Sequence, residues 1–162
     1  MRERCVFVTG ATGYIGRALT AELLARGHAV RALTRKRSSH RIPPGATIVE
    51  GDALDTATFA HSIAPADTFV HLVGTPHPNP LKSASFRSVD LRSVEAAVGA
   101  AKSAGIAHFV YLSVAQPAPV MRAYIEVRQA GEAMIRASGV PATILRPWYL
   151  LGPGHWWPYV FA

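Results

Sequence analysis

One cysteine, Cys5, occurs in the 162 residues, so no internal disulfide can form, and its place at the start of an apolar run points to burial rather than reactivity. No run approaches the ~20 apolar residues of a spanning helix, and Met1-Arg2-Glu3-Arg4 leads straight into a short apolar strand without a signal-peptide layout. A cytoplasmic protein with no transmembrane segment is therefore expected. Acidic residues are sparse: ten Asp and Glu stand against 17 Lys and Arg, a formal charge of +7. Such a field attracts phosphorylated ligands, nucleic acid or acidic surfaces alike. Zinc-finger spacing, a basic-helix run and an aromatic-studded RNA-binding motif are all missing, so nucleic acid is not an expected partner. No metal is expected either, because His71 and His77 have no carboxylate or cysteine at a metal-site spacing.

What is present is one domain's worth of chain, with 49% hydrophobic residues to fill its core. Short apolar runs alternate with helix-length amphipathic stretches: Val6 to Thr9, Val30 to Thr34, Thr47 to Glu50, Thr68 to Leu72, His108 to Ser113 and Ala142 to Arg146. Continuous Val, Ile, Leu and Phe in short runs suits strands buried on both faces. Between them, Ile15, Leu19 and Leu23 recur at helical spacing, as do Leu91, Val94, Val98 and Ala101, and Ile125 leads through Gln129 towards Met134 and Ile135. Right-handed crossovers then predict an α/β fold with a doubly wound parallel sheet of Rossmann type, strand order 3-2-1-4-5-6, over residues 1–162. The proline-bearing stretch Gly74 to Leu81 falls at the ligand-bearing carboxyl edge of that sheet.

Gly10, Gly13 and Gly16 lie between the first strand and the first helix, the setting in which a glycine fingerprint binds a pyrophosphate. One glycine allows the tight turn, the next a close backbone approach and the third close helix–strand packing, while the helix N-terminus offers free N–H groups. At the end of the second strand, where an NAD site carries an acidic residue, the chain reads Thr34-Arg35-Lys36-Arg37. A carboxylate there would repel a 2′-phosphate; Arg35 can grip one with its planar fork, and Lys36 can add charge. NADP(H) is therefore expected in preference to NAD(H).

With Thr9-Gly-Ala-Thr-Gly-Tyr-Ile-Gly16, Gly51-Asp52, His71-Leu-Val-Gly74, Phe109-Val-Tyr-Leu-Ser113, Ile144-Leu-Arg-Pro147 and Gly152-Pro-Gly154, the chain resembles the extended and atypical branch of the short-chain dehydrogenase/reductase superfamily along nearly its whole length. The resemblance implies cofactor contacts from Thr9, Gly10, Thr12, Gly13, Tyr14, Ile15 and Gly16, from Asp52 and Ala53 at the adenine, from Leu72, Val73 and Gly74 beside the adenosine, and from Pro147 at the nicotinamide. Read from the residues alone, Asp52 serves equally well as a helix cap, a role for which Asp55 competes.

Members that oxidise or reduce a substrate use a Tyr-x-x-x-Lys pair and a Ser at the end of the fifth strand. Here Ser113 and Tyr124 match, and Arg128 stands at the lysine position. Four-residue spacing puts Tyr124 and Arg128 on one helical face, where a cation can stabilise a phenolate. Arginine, however, takes no part in a proton relay. Two readings stay open. In one, Ser113, Tyr124 and Arg128 are the catalytic residues of an NADP-dependent oxidoreductase, or of an enzyme with epimerase/dehydratase-like chemistry, acting on an unknown small molecule. In the other, Tyr124 and Arg128 are an exposed helix pair worth a few tenths of a kcal/mol in a non-catalytic sensor or assembly protein with a protein partner. The second is suggested by the similarity of the segment Tyr124 to Glu132 to nitrogen-metabolite-repressor-like proteins and to the nucleotide-binding accessory subunit of respiratory complex I.

His28 is expected to serve capping or packing, and His155 carries no reading. The aromatic end, Trp156 to Ala162, could contact a partner or a bilayer interface. The expectation preferred here is packing against further chain, because the family places a smaller substrate portion after its Arg-Pro and Gly-Pro-Gly segments. On that view most of the substrate portion is missing.

Overall fold

The computed structural model describes residues 3–75, 82–116, 121–148, 150 and 152. Its strands are β1 (Cys5–Thr9), β2 (Ala29–Thr34), β3 (Thr47–Glu50), β4 (Thr68–His71), β5 (His108–Leu112) and β6 (Ala142–Leu145). They form one sheet in the order β3-β2-β1-β4-β5-β6, and every neighbouring pair is parallel. This is the doubly wound Rossmann-type arrangement. The helices read from periodicity are α1 (Tyr14–Ala25), α3 (Arg92–Ser103) and α4 (Arg122–Ser138). Ahead of α3 run a short turn, α2 (Ser83–Ser85), and a π-helical segment, Phe86–Leu91. Where the sequence has no helical periodicity, between β2 and β4, the crossovers use short 3-10 turns at Lys36–Arg41, Thr56–Thr58 and Ala60–Ser62.

Strand side chains alternate between two cores. Towards α3 and α4, Phe7, Phe69 and Phe109 are paired in register across β1, β4 and β5, with successive ring centroids 5.1 and 5.2 Å apart. Two residues further along the same strands and on the same face, Thr9, His71 and Tyr111 make a polar rung, also in register. All three are fully buried. The aromatic rung fixes the strands, and the polar rung lies just inside the edge from which the functional loops leave.

On the opposite face Val6, Val8, Val30, Ala32 and Val70 pack with Leu19 and Leu23 of α1. Beside α1 an apolar groove of about 400 Å³, lined by residues including Val6, Ile15, Leu19, Val70, Val110 and Leu145, stays open, and Leu145 is 48% exposed. Among the described residues no helix is long and apolar enough to cross a membrane, and no three His, Cys, Asp or Glu gather in a way that could hold a metal. His28 accepts a hydrogen bond from the Arg4 backbone N–H through Nδ1 (3.3 Å), a local role at the start of the sheet. His77, His155 and Trp156 to Ala162 lie outside the described residues, as does most of Gly74 to Leu81.

Candidate functional site

The loop leaving β1 turns at Gly10, whose φ of +76° favours glycine and whose missing Cβ would lie 2.8 Å from the Leu72 carbonyl carbon. The loops after β1 and β4 therefore touch backbone to backbone, at the point where strand order reverses. That is where ligands bind in open α/β sheets. Gly16, in the first turn of α1, approaches the Gly10 and Ala11 backbone too closely to admit any side chain. The Gly13 N–H closes the turn onto the Gly10 carbonyl (3.0 Å), and α1 then starts with neither a side-chain cap nor an acidic residue in its first turn. Its leading N–H groups are left to an anion, so the cradle fits a pyrophosphate. Thr12, Tyr14 and Ile15 line this turn half-buried, with Gly152 packed against the Tyr14 hydroxyl. Thr9 is turned inward: its Oγ1 lies 2.8 Å from His71 Nδ1.

β2 ends at Thr34, and the next three side chains, Arg35, Lys36 and Arg37, are exposed with no acidic partner among the described residues. After β3, Asp55 caps the 3-10 turn by accepting from the Ala57 N–H (3.0 Å). Asp52 accepts from the Leu54 N–H through Oδ1 (3.0 Å), a local turn, and it stays exposed beside half-buried Ala53. The helix-cap role thus belongs to Asp55. At the exit of β4, Leu72, Val73 and Gly74 are half-buried, and the Leu72 N–H donates to the Thr9 carbonyl (3.1 Å). Half-buried Pro147 follows β6, and its carbonyl accepts from the Ala115 N–H (3.1 Å).

Directly beneath Gly74, which has no room for a Cβ there, lies a buried ion pair. Arg128 donates through Nη2 to Asp90 Oδ1 (2.8 Å), while Asp90 Oδ2 accepts from both the N–H (3.0 Å) and the hydroxyl (2.5 Å) of Thr75. Arg128 Nη1 donates to the Tyr111 hydroxyl (3.3 Å) and to the Leu112 carbonyl (3.1 Å). This corrects the expectation of an exposed helix pair. α4 packs this face onto the π-helical segment, and Arg128 is only 5% exposed. Burial works against its charge, but Tyr111, Tyr124 and Asp90 more than offset it and hold the guanidinium above its usual range. Tyr111 is itself pushed up by burial, against the pull of Arg128.

Tyr124 and Arg128 do come together, but face to face. The guanidinium carbon lies 5.1 Å from the Tyr124 ring centroid, and the ring also packs against Phe86 (centroids 5.1 Å apart). Among the described residues the Tyr124 hydroxyl has no hydrogen-bond partner. Ser113 points elsewhere: its Oγ donates to Glu132 Oε1 (2.7 Å). Glu132 is 2% exposed and also accepts from Gln116, Arg136 and, through both oxygens, Arg146. The Arg146 hydrogen bonds, followed by those from Ser113 and Arg136, outweigh burial and pull its pKa down to about 2. Asp90, His71, Tyr111 and Glu132 are the site-bearing residues that sequence reasoning missed.

The sequence model of the NAD(P)H-binding family matches residues 10–154. Among curated proteins the chain is 31% identical over 151 residues to the ceramide reductase of Caulobacter vibrioides, covering 92% of this chain and 47% of that one. It is 35% identical over 163 residues to the chloroplastic divinyl chlorophyllide a 8-vinyl-reductase of Oryza sativa subsp. indica, covering 90% and 40%. It is 28% identical over 149 residues to the photosystem II assembly factor Ycf39 of Cyanophora paradoxa, covering 87% and 44%. The chain thus spans less than half the length of these relatives. The fold is shared with Bordetella bronchiseptica WbmH in complex with NAD+ (TM-score 0.74, 23% identity, 90% of this chain and 56% of that one). It is shared equally with the UDP-glucose 4-epimerase of Thermotoga maritima (TM-score 0.72, 15% identity, 88% and 54%). The chain belongs to the NAD(P)H-binding family of atypical short-chain dehydrogenase/reductase Rossmann proteins.

Proposed function

We propose that this chain is the NADP(H)-binding domain of a reductase, with the pyrophosphate on Gly10 to Gly16 and the 2′-phosphate on Arg35 and Lys36. The observation that carries this reading is the end of β2, where three exposed cations with no acidic partner among the described residues follow Thr34. A guanidinium fork and an ammonium there recognise a dianionic phosphate, and nothing in that run recognises the free ribose hydroxyl. Asp52 and Ala53 border the adenine, the Leu72 to Gly74 backbone the adenosine, and Pro147 the nicotinamide. Bound NADPH would supply a hydride. Tyr124, whose hydroxyl has no hydrogen-bond partner among the described residues, would hold its proton for, or deliver it to, a small-molecule substrate. Arg128 supports the Tyr124 ring and, always protonated, relays no proton itself.

A second reading, binding without turnover, is favoured by one specific observation: both helpers of Tyr124 are engaged by carboxylates, Ser113 by Glu132 and Arg128 by Asp90. The similarity to an assembly factor agrees with it.

Calorimetric titration with NADPH and NADH at fixed salt, on the protein and on Arg35→Ala, tests the cofactor assignment. NADPH is expected to bind at least about tenfold tighter, a gap of ~1.4 kcal/mol, and Arg35→Ala to erase the difference. Equal affinities in the unmodified protein would overturn the preference. Steady NADPH consumption with a carbonyl panel, lost in Tyr124→Phe, separates the reductase from the sensor.

A further inference from the structure

His71 takes no part in the cofactor contacts or chemistry assigned above, yet it is fully buried in the polar rung beneath the loop junction. Its Nδ1 lies 2.8 Å from Thr9 Oγ1 and its Nε2 3.2 Å from Ser93 Oγ. Ser93 Oγ in turn donates to the Asp90 carbonyl (2.9 Å). A carbonyl only accepts, so the single Ser93 proton is spent on Asp90, and Ser93 Oγ must accept from the imidazole. The proton of His71 therefore sits on Nε2, and Nδ1 accepts from the Thr9 hydroxyl. Every bond in the chain runs in one direction: Thr9 to His71, His71 to Ser93, Ser93 to the Asp90 backbone. Burial, reinforced by the Arg128 charge, lowers the His71 pKa to about 3, which keeps the ring neutral and both bonds intact at physiological pH.

The two ends of this chain are the two walls of the site. Thr9 opens the glycine loop, and Asp90 is the residue whose carboxylate holds Thr75 and Arg128 under Gly74. Thr9 and His71 are also register partners across β1 and β4, the pair of strands between which the sheet order reverses. We infer that His71 is a positioning residue for the dinucleotide crevice: a neutral Nε2–H imidazole that sets the spacing of the β1 and β4 loops and ties both to the π-helical segment carrying Asp90. This rests on the dinucleotide reading above. Stacking of the imidazole near Phe109 and Tyr111 (centroids 6.4 and 5.9 Å) means that a phenyl ring can replace its shape without its hydrogen bonds.

The test uses NADPH titrations of the protein, His71→Phe, Thr9→Val and the double variant, at a temperature where circular dichroism shows all four folded. His71→Phe is expected to weaken NADPH about tenfold, and the double variant to be no weaker than His71→Phe, because the Thr9 bond acts only through the imidazole. A lowered melting temperature with unchanged NADPH affinity would reduce His71 to a core residue and overturn the inference. Nitrogen NMR of the unmodified protein provides a readout that does not depend on the variants folding. The Nε2–H tautomer, unchanged from pH 5 to 9 despite Arg128, Tyr111 and Asp90 nearby, is expected; a proton on Nδ1 or titration in that range would refute the one-way chain. If the unmodified protein binds neither NADPH nor NADH, it is the dinucleotide reading that fails. If it binds and His71→Phe binds equally, only this inference fails.

Discussion

Arg128 and Asp90 form a 2.8 Å ion pair in which neither side chain is more than 6% exposed. A charge buried that deeply is tolerable only while its partner remains, since an unpaired ion in a low-dielectric interior is strongly disfavoured. Asp90→Ala is therefore expected to destabilise the protein by roughly 3–5 kcal/mol, whereas Asp90→Ala with Arg128→Met should recover a substantial part of that loss. Urea denaturation of the two single variants and the double variant measures the coupling. Additive losses would mean that the pair does not act as a unit.

Glu132 gives the stability a sign with respect to pH. Its carboxyl is held at about 2, below the ~4.3 of an unfolded glutamate, so its stabilisation is complete above the unfolded value and disappears as pH falls from about 5 to 2. The full shift would be worth about 3 kcal/mol, and screening of the half-exposed Arg136 and Arg146 leaves roughly 1–3 kcal/mol. Glu132→Gln should cost that much at pH 7 and progressively less on acidification, as read from denaturant midpoints across the range. A cost independent of pH would assign the effect to packing instead.

Tyr124→Phe removes a hydroxyl without a partner among the described residues, so stability should change by no more than about 0.5 kcal/mol. If the chain supports turnover, the same change should lower kcat by about 100-fold or more. Thermal melts and NADPH consumption, measured on one preparation, examine both halves. A large drop in melting temperature would show that the hydroxyl is structurally committed.

Gly10→Ala places a methyl group against the Leu72 carbonyl at a φ that side chains disfavour. The backbone cost alone is about 1 kcal/mol, and the clash adds to it by prising the β1 and β4 loops apart. Dinucleotide affinity should fall more than stability does, which calorimetry and denaturation on the same protein can compare. Full retention of NADPH affinity would argue against a close approach of the ligand at this turn.

The sheet order, the three long helices and the glycine turn were legible because each depends on local signals: short β-rich runs, a 3.6-residue repeat and glycines in a strand–turn–helix context. The polar partners were not. Asp90 and Arg128 are 38 positions apart, and Ser113 and Glu132 are 19 apart. No periodicity announces that an aspartate beside Leu91 will meet an arginine of another helix. The sequence did suggest that Tyr124 and Arg128 share a face. Whether that face was exposed depended on how α4 docks on the segment before α3, which is a property of the packed fold. The sequence shows His71 as part of the His71 to Gly74 segment and without metal-site spacing; its strand position beside Thr9 is the available clue, since register pairs the two once β1 and β4 are neighbours.

The π-helical segment Phe86–Leu91 has a geometric consequence for all of this. A π turn holds one more residue than an α turn, and each helical residue rotates the chain by about 100°. Everything upstream of the bulge is thus out of phase with everything downstream. α3 keeps Val94, Ala97 and Ala101 in the core while Asp90, at the wide turn, still reaches Arg128 and Thr75. Deleting one residue there would restore a regular helix and, by the same rotation, swing a carboxylate out of the crevice floor: the irregularity is the gearing that lets one rod serve both the apolar interior and the charged site.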